Sequence, residues 1–272
     1  MQQARRSASG SHHDLSVQDR SDALRNDVER LFAADLPVAL YLDIDGTLLD
    51  VALTPSTVRI PPILPHLLDA LSQRLSGAVA IITGRPLKEA DELLHPARFV
   101  AAGVHGAQMR ISSDGAIESL APSLDQALQD DIRKIVIDLP GIVFEDKGNG
   151  IALHYRLAPE QHTALMMMLE KLVMKYPEQF TIFGGRKVVE VLPVGFSKGR
   201  ALRTLASMPP FANRTPVMIG DDIADIAAFN AAEELGGFGL KVAGEHFSHE
   251  EASFHGPADV LEWLQKLSRV KD

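Results

Sequence analysis

The stretch Leu42-Asp43-Ile44-Asp45-Gly46-Thr47 sets two carboxylates one residue apart at the point where an apolar run breaks. The preceding residues, Val38–Leu42, read as a short buried strand, and acids, glycine and threonine end it. A strand that closes in Asp-x-Asp-Gly-Thr delivers both acids to the carboxyl edge of a sheet, where open α/β folds bind ligands. There, one carboxylate can attack as a nucleophile while its neighbour moves protons. An ordinary Asp-Gly turn with surface acids would look the same over six residues, so the rest of the chain has to decide.

Downstream, a loop rich in proline and threonine leads to helical spacing over 63–75, with Leu64, Leu67, Leu68 and Leu71 on one face. A second apolar run, 78–82, ends in Thr83-Gly84-Arg85, followed by a predicted helix over Leu87–Leu94 and a strand over 99–104. Upstream, Ser21 is a candidate cap for a helix over 21–33. Strands alternating with helices predict an α/β fold whose mostly parallel sheet is covered on both faces. Between 122 and 193 the grammar changes. Two helices (124–139 and 160–176) accompany a hairpin of 142–145 with 151–157 and a second strand pair, 181–183 with 188–192, which together predict a small α+β insert. From Ser197 the first grammar returns, with helices over 199–206, 223–230 and 258–268 and strands over 216–219 and 239–242. The expected organisation is a disordered tail over 1–20, a discontinuous core over 21–121 and 194–272, and an inserted domain over 122–193.

Length and composition bound the rest. The 272 residues can hold one large domain or two modest ones. A net charge of -9 with no basic stripe argues against nucleic acid as a partner. The absence of cysteine excludes disulfides and thiolate metal sites and fits a reducing cytoplasm, the expected location. No apolar run reaches the ~18 residues of a membrane span. Arg5, Arg6 and His12-His13 lie in a serine-rich start with no apolar signal core, so neither membrane nor secretion is expected. A monomer or weak homo-oligomer is the expected state.

Four sites follow strand ends or open helices in the core: Asp43 with Asp45, Thr83, Lys198, and Gly220-Asp221-Asp222 with Asp225. Thr83 alone reads as a cap or turn residue, and Lys198 alone as a solvated helix start. Adjacent acids after a buried strand offer hard oxygen ligands of the kind Mg²⁺ prefers. Helix capping would explain one such acid but not three. Together the four describe phosphoryl transfer: a cation offsets the repulsion between a carboxylate nucleophile and a phosphate, lysine and hydroxyl hold the phosphate oxygens, and an acid protonates the leaving alcohol. No Gly-x-x-x-x-Gly-Lys-Ser/Thr loop is present, which excludes a P-loop enzyme.

This set resembles the four motifs of the haloacid dehalogenase superfamily, which implies a Rossmann-like core with an inserted cap. The resemblance implies Asp43 as nucleophile, Asp45 as general acid and base, Thr83 and Lys198 on the phosphate, and Asp225 orienting Lys198. It also implies Mg²⁺ held by Asp43, the Asp45 backbone carbonyl and Asp221, with Asp222 nearby. Further segments, Gly103-Val104-His105-Gly106, Glu145-Asp146-Lys147, 152–156 and 185–190, are similar to those of trehalose-6-phosphate phosphatases, over about 38–264. The resemblance implies trehalose 6-phosphate as substrate, read by Arg85, His105, Glu145, Lys147, His154, Arg186 and Glu190 beside Thr83 and Lys198. Taken by themselves, Glu145 and Lys147 equally fit an exposed strand pair, His154 a packing histidine and Arg156 a surface salt bridge, and His105, near where core and insert meet, fits a structural or a sugar-facing role. The chain departs from the family pattern at Ala224 and Ile226, where threonine and glutamate are usual, and at Arg186, where lysine is common.

Overall fold

Val38–Leu42 forms β1 with all five residues buried, as expected of a strand covered on both faces. A computed structural model describes residues 17–51, 58–176, 178–185 and 187–269. The chain runs α1 (Val17–Ala33), β1, α2 (Leu64–Arg74), β2 (Val79–Ile82), α3 (Leu87–Leu94), β3 (Val100–Gly103), β4 (Gln108–Arg110) and β5 (Glu118–Ser119). It continues through α4 (Gln126–Asp138), β6 (Val143–Asp146), β7 (Ile151–His154), α5 (His162–Val173), β8 (Phe180–Gly185) and β9 (Val188–Pro193). The last elements are α6 (Lys198–Ala206), β10 (Thr215–Gly220), α7 (Ile223–Glu234), β11 (Phe238–Lys241) and α8 (Pro257–Ser268).

Seven strands form one sheet in the order β11-β10-β1-β2-β3-β4-β5. The pairings from β11 through β3 are parallel, and β4 and β5 extend the edge antiparallel. The chain leaves β1 toward β2 and β3, then returns to the other side of β1 as β10 and β11. The carboxyl ends of β1 and β10 therefore flank a topological switch point, the usual ligand crevice of such sheets. Its core is aliphatic and runs from Val28 and Phe32 on α1 to Trp263 and Leu264 on α8.

Four strands form a second, antiparallel sheet in the order β6-β7-β9-β8. One face carries Ile151, Leu153, Val189 and Val191, which pack with Leu128 and Ile132 of α4 and Leu165 and Leu169 of α5 in a core of their own. A smaller apolar cluster, Val104, Ala107, Ala121 and Leu192 with Phe183 against it, lies where the two sheets meet.

Two expectations change. Helix α1 opens at Val17, so four residues assigned to the tail are helical, while residues 1–16 lie outside the described ones. Strands β4 and β5 were not expected. They are three and two residues long, and β5 is exposed, too short for a period to register.

Candidate active site

Every residue singled out from the sequence lines one cleft, except Asp225, which stands behind Lys198, and Arg186, which lies outside the described residues. The cleft is open to solvent, and the space in and above it comes to about 890 Å³.

Asp43 follows β1, and its N–H donates to Ile219 at the end of β10 (3.1 Å), which seats it in the crevice. Its side chain is 6% exposed and lies 2.9 Å from Lys198 Nζ. Burial pushes the Asp43 carboxyl well up, Lys198 opposes this, and Asp225 and Asp221 add to it. Lys198 is the first residue of α6, whose cap is the Ser197 hydroxyl accepting from Arg200 N. Its ammonium donates to Asp225 Oδ1 at 2.7 Å. Burial alone would lower the Lys198 pKa, but Asp225 and Asp43 outweigh it and hold the group protonated.

Both Asp225 oxygens accept hydrogen bonds. While Oδ1 takes Lys198, Oδ2 accepts from the Asp221 and Asp222 N–H groups at 3.1 and 3.0 Å. Asp222 is the N-cap of α7 and forms a reciprocal capping box with Asp225. Its Oδ1 accepts from Ile223 N at 2.5 Å and lies 3.2 Å from His246 Nε2. Local helix-start chemistry thus turns one acid toward the helix and leaves Asp221 facing Asp43.

Among the described residues, carboxylate oxygens of Asp43, Asp221 and Asp225 lie within 4.8 Å of one another, and all three residues are buried. Hard oxygen donors at this spacing fit Mg²⁺. Asp225 also serves Lys198 and two N–H groups, so Asp43 and Asp221 are the less heavily engaged members of this group. Asp222 and the Asp45 carboxylate are not in that group.

Gly46 has φ +81, and a Cβ there would stand 2.0 Å from Asp221 Oδ2. Gly46→Ala should therefore push the Asp221 carboxylate out of place as well as strain the backbone. The expected result is a loss of Mg²⁺ affinity of about tenfold or more, on the scale of losing support for a ligand. Titration of activity against Mg²⁺ measures it.

Thr83 follows β2 and is buried; its Oγ1 accepts from Arg85 N at 3.2 Å. The Arg85 guanidinium grips Asp45 with two hydrogen bonds, Nε to Oδ2 at 2.6 Å and Nη2 to Oδ1 at 2.7 Å. Sequence reasoning counts Arg85 among the substrate-binding residues. It had missed Glu89, which lines the same cleft 3.6 Å from Arg85. The available signal was an arginine just before α3 and a glutamate in its first turn, four residues apart.

The second sheet supplies the cleft's other wall. Glu145 on β6 and His154 on β7 pair through Oε2 and Nε2 at 2.6 Å. Lys147, just past β6, donates to Glu190 Oε1 on β9 at 2.5 Å and to the Gly84 carbonyl at 2.8 Å. His105 meets the other Glu190 oxygen at 2.6 Å. Burial alone would raise the Glu190 carboxyl, but His105 and Lys147 prevail and hold it far below its usual range. Neither an exposed strand pair nor a packing histidine describes these groups.

A switch point that carries two aspartates, a lysine opening a helix and an acidic loop, facing an inserted second sheet, agree with the haloacid dehalogenase class of α/β protein. Comparison with known families makes this specific: the trehalose-phosphatase model matches residues 41–260, and the chain belongs to that family. A "Probable trehalose-phosphate phosphatase" of Sinorhizobium fredii is 42% identical over 205 residues, 75% of this chain and 77% of the relative. The trehalose-6-phosphate phosphatase of Escherichia coli K12 is 35% identical over 85% of this chain and 86% of its own. In structure, the C-terminal domain of Candida albicans trehalose-6-phosphate phosphatase superposes with a TM-score of 0.78 at 22% identity, covering 90% of this chain and 96% of that domain.

Proposed function

We propose that this chain is a Mg²⁺-dependent phosphatase that hydrolyses trehalose 6-phosphate to trehalose and phosphate in the cytoplasm. The observation that carries the reading is the buried Asp43 carboxylate beside an ammonium that is itself fixed by Asp225. Lys198 is thereby committed to one place and stays charged, ready to bind phosphate oxygens and to spread the charge that develops in transfer.

In this reading Asp43 attacks phosphorus in line, the sugar 6-oxygen leaves, and Asp45 gives it a proton. The aspartyl phosphate is then hydrolysed by a water from which Asp45 takes a proton back. Thr83 and Lys198 bind phosphate oxygens throughout. Asp43, the Asp45 backbone carbonyl and Asp221 would hold the cation, which would supply Lewis-acid charge stabilisation there. Arg85 orients the Asp45 carboxyl through its two hydrogen bonds. The inserted sheet acts as a cap whose polar wall, with Glu145, Lys147, His154 and Glu190, reads sugar hydroxyls through charge-assisted hydrogen bonds. Ile226, where glutamate is usual, is 40% exposed, so its departure from the pattern leaves the buried cluster intact.

Phosphate release from a panel of trehalose 6-phosphate, sucrose 6-phosphate, glucose 6-phosphate and an aryl phosphate, with and without Mg²⁺, tests the reading. Fastest turnover of trehalose 6-phosphate, lost on chelation, is expected. Preference for another sugar phosphate would move the substrate, and no release from any would leave a sugar-phosphate sensor on the same fold.

Metal titration separates the two adjacent acids. Asp221→Asn should weaken Mg²⁺ by at least the roughly 10- to 100-fold that loss of a ligand's supporting partner costs. Asp222→Asn, whose carboxylate serves the α7 cap, should shift it only a few-fold. The reverse order would mean that the ligand assignment is backwards.

A further inference from the structure

Glu190 has one oxygen on a core residue and the other on a residue of the inserted sheet. His105 Nε2 takes Oε2 at 2.6 Å and Lys147 Nζ takes Oε1 at 2.5 Å. All three side chains are 8% exposed. The chain of contacts then closes on a single peptide. Lys147 gives a second N–H to the Gly84 carbonyl, and a Cβ built on Gly84 would lie 2.7 Å from His105 Nε2. Gly84 stands between Thr83 and Arg85, which carry the phosphate-binding hydroxyl and the clamp on Asp45.

His105 is built for a fixed posture. Its backbone is left-handed (φ 53, ψ 27), and its N–H donates to Thr83 O at 3.1 Å. The ring lies parallel to Phe183 of β8, 9° between planes and 6.5 Å between centroids. Its Nε2 is engaged by Glu190, so this nitrogen acts on a ligand through that carboxylate.

We propose that His105 is a positioning residue, which aims Glu190 from the core side and joins the sugar-reading wall to the phosphate loop through Gly84. The inference rests on the trehalose 6-phosphate reading above for its kinetic consequence, and on geometry alone for its structural one. Glu190 is set for a sugar hydroxyl only while the inserted sheet is docked, because one of its two anchors belongs to the other unit. Docking and presentation of the carboxylate are then one event.

Two measurements decide this. His105→Ala should lower kcat/KM for trehalose 6-phosphate by about 10- to 100-fold, the scale of leaving one buried polar partner short. His105→Gln, which keeps a side-chain N–H donor, should recover most of that loss. In the His105→Ala/Glu190→Gln double variant the losses should not multiply, because His105 acts through Glu190. Multiplying losses, or a His105→Ala enzyme within twofold of wild type, would overturn the proposal.

The second measurement needs no substrate. Hydrogen exchange of peptides over 143–154 and 188–193 should quicken in ligand-free His105→Ala and stay near wild type in His105→Gln. Unchanged exchange in both variants overturns the structural claim. Quickened exchange in both shows that the ring packing, not the hydrogen bond, holds the contact, and overturns it as well. If wild type proves inactive on trehalose 6-phosphate, the assigned substrate falls while the exchange result still decides what His105 does. Should alanine fail to fold at this left-handed position, the exchange and kinetics of His105→Gln alone decide: values far from wild type overturn the proposal and values near it support it.

Discussion

Asp43→Asn is expected to abolish turnover of every phosphate ester, by about 10⁴-fold or more, as removal of a covalent nucleophile does. An amide matches the carboxylate in shape but has no anionic oxygen to form the acyl phosphate. Stability should move the other way. The Asp43 carboxyl is pushed up by burial despite Lys198 beside it, so its ionised form is held in the fold at a cost. A neutral isostere relieves that cost and the repulsion from Asp221 and Asp225. In chelator at neutral pH, Asp43→Asn should therefore unfold at the same denaturant concentration as wild type or a higher one. Assays of phosphate release and of denaturant midpoint check both halves. Wild-type turnover by a clean preparation of the variant would remove Asp43 from the covalent role. A large loss of stability would mean that the carboxylate holds the fold together.

The chain announces this part of the site because backbone geometry places it. A strand buried on both faces has to read as unbroken apolar residues, as β1 does, so whatever follows it is delivered to the sheet edge. The same logic makes Thr83 after β2 and Asp221 after β10 legible as neighbours of Asp43, and it separates the parallel core from the insert. Pairings across the fold are not legible in this way. Glu190 sits in Val188-Val189-Glu190-Val191-Leu192, a run in which only Val188 is not buried, so its alternation is hidden. Only the register, which sets Glu190 opposite Ala152 on β7 and Phe183 on β8, shows which face it shares. That face meets His105, 85 residues earlier in the chain. Asp221 and Asp222 show a subtler limit. Adjacent acids look alike as metal ligands, and the choice between cap and ligand follows from where α7 begins, which sequence reading fixes least well.

Lys198→Met should be the second most damaging change, and it separates stability from catalysis. The methionine fills most of the volume but leaves Asp43 and Asp225 buried without their shared cation. Removing one partner of such a cluster typically costs about 3–5 kcal/mol, and losing a preorganised charge at the transferring group costs about 10²–10³-fold in rate. The stability loss should depend on pH in a definite direction. Asp43 already has a carboxyl raised by burial, with Lys198 the first of the forces opposing that rise. Without the lysine it should rise further. A carboxyl whose folded pKa lies above its unfolded value favours the fold below the unfolded pKa and loses that contribution as pH rises through the folded one. The gap between Lys198→Met and wild type in chelator should thus be widest at neutral pH and above, and narrow as pH falls toward the ordinary carboxylate range. Adding Asp43→Asn should recover part of the stability at neutral pH, and no activity. A gap that widens on acidification would show that the loss comes from packing around the methionine rather than from stranded carboxylates. Recovery of turnover in the double variant would be incompatible with Asp43 and Lys198 acting on the same phosphate.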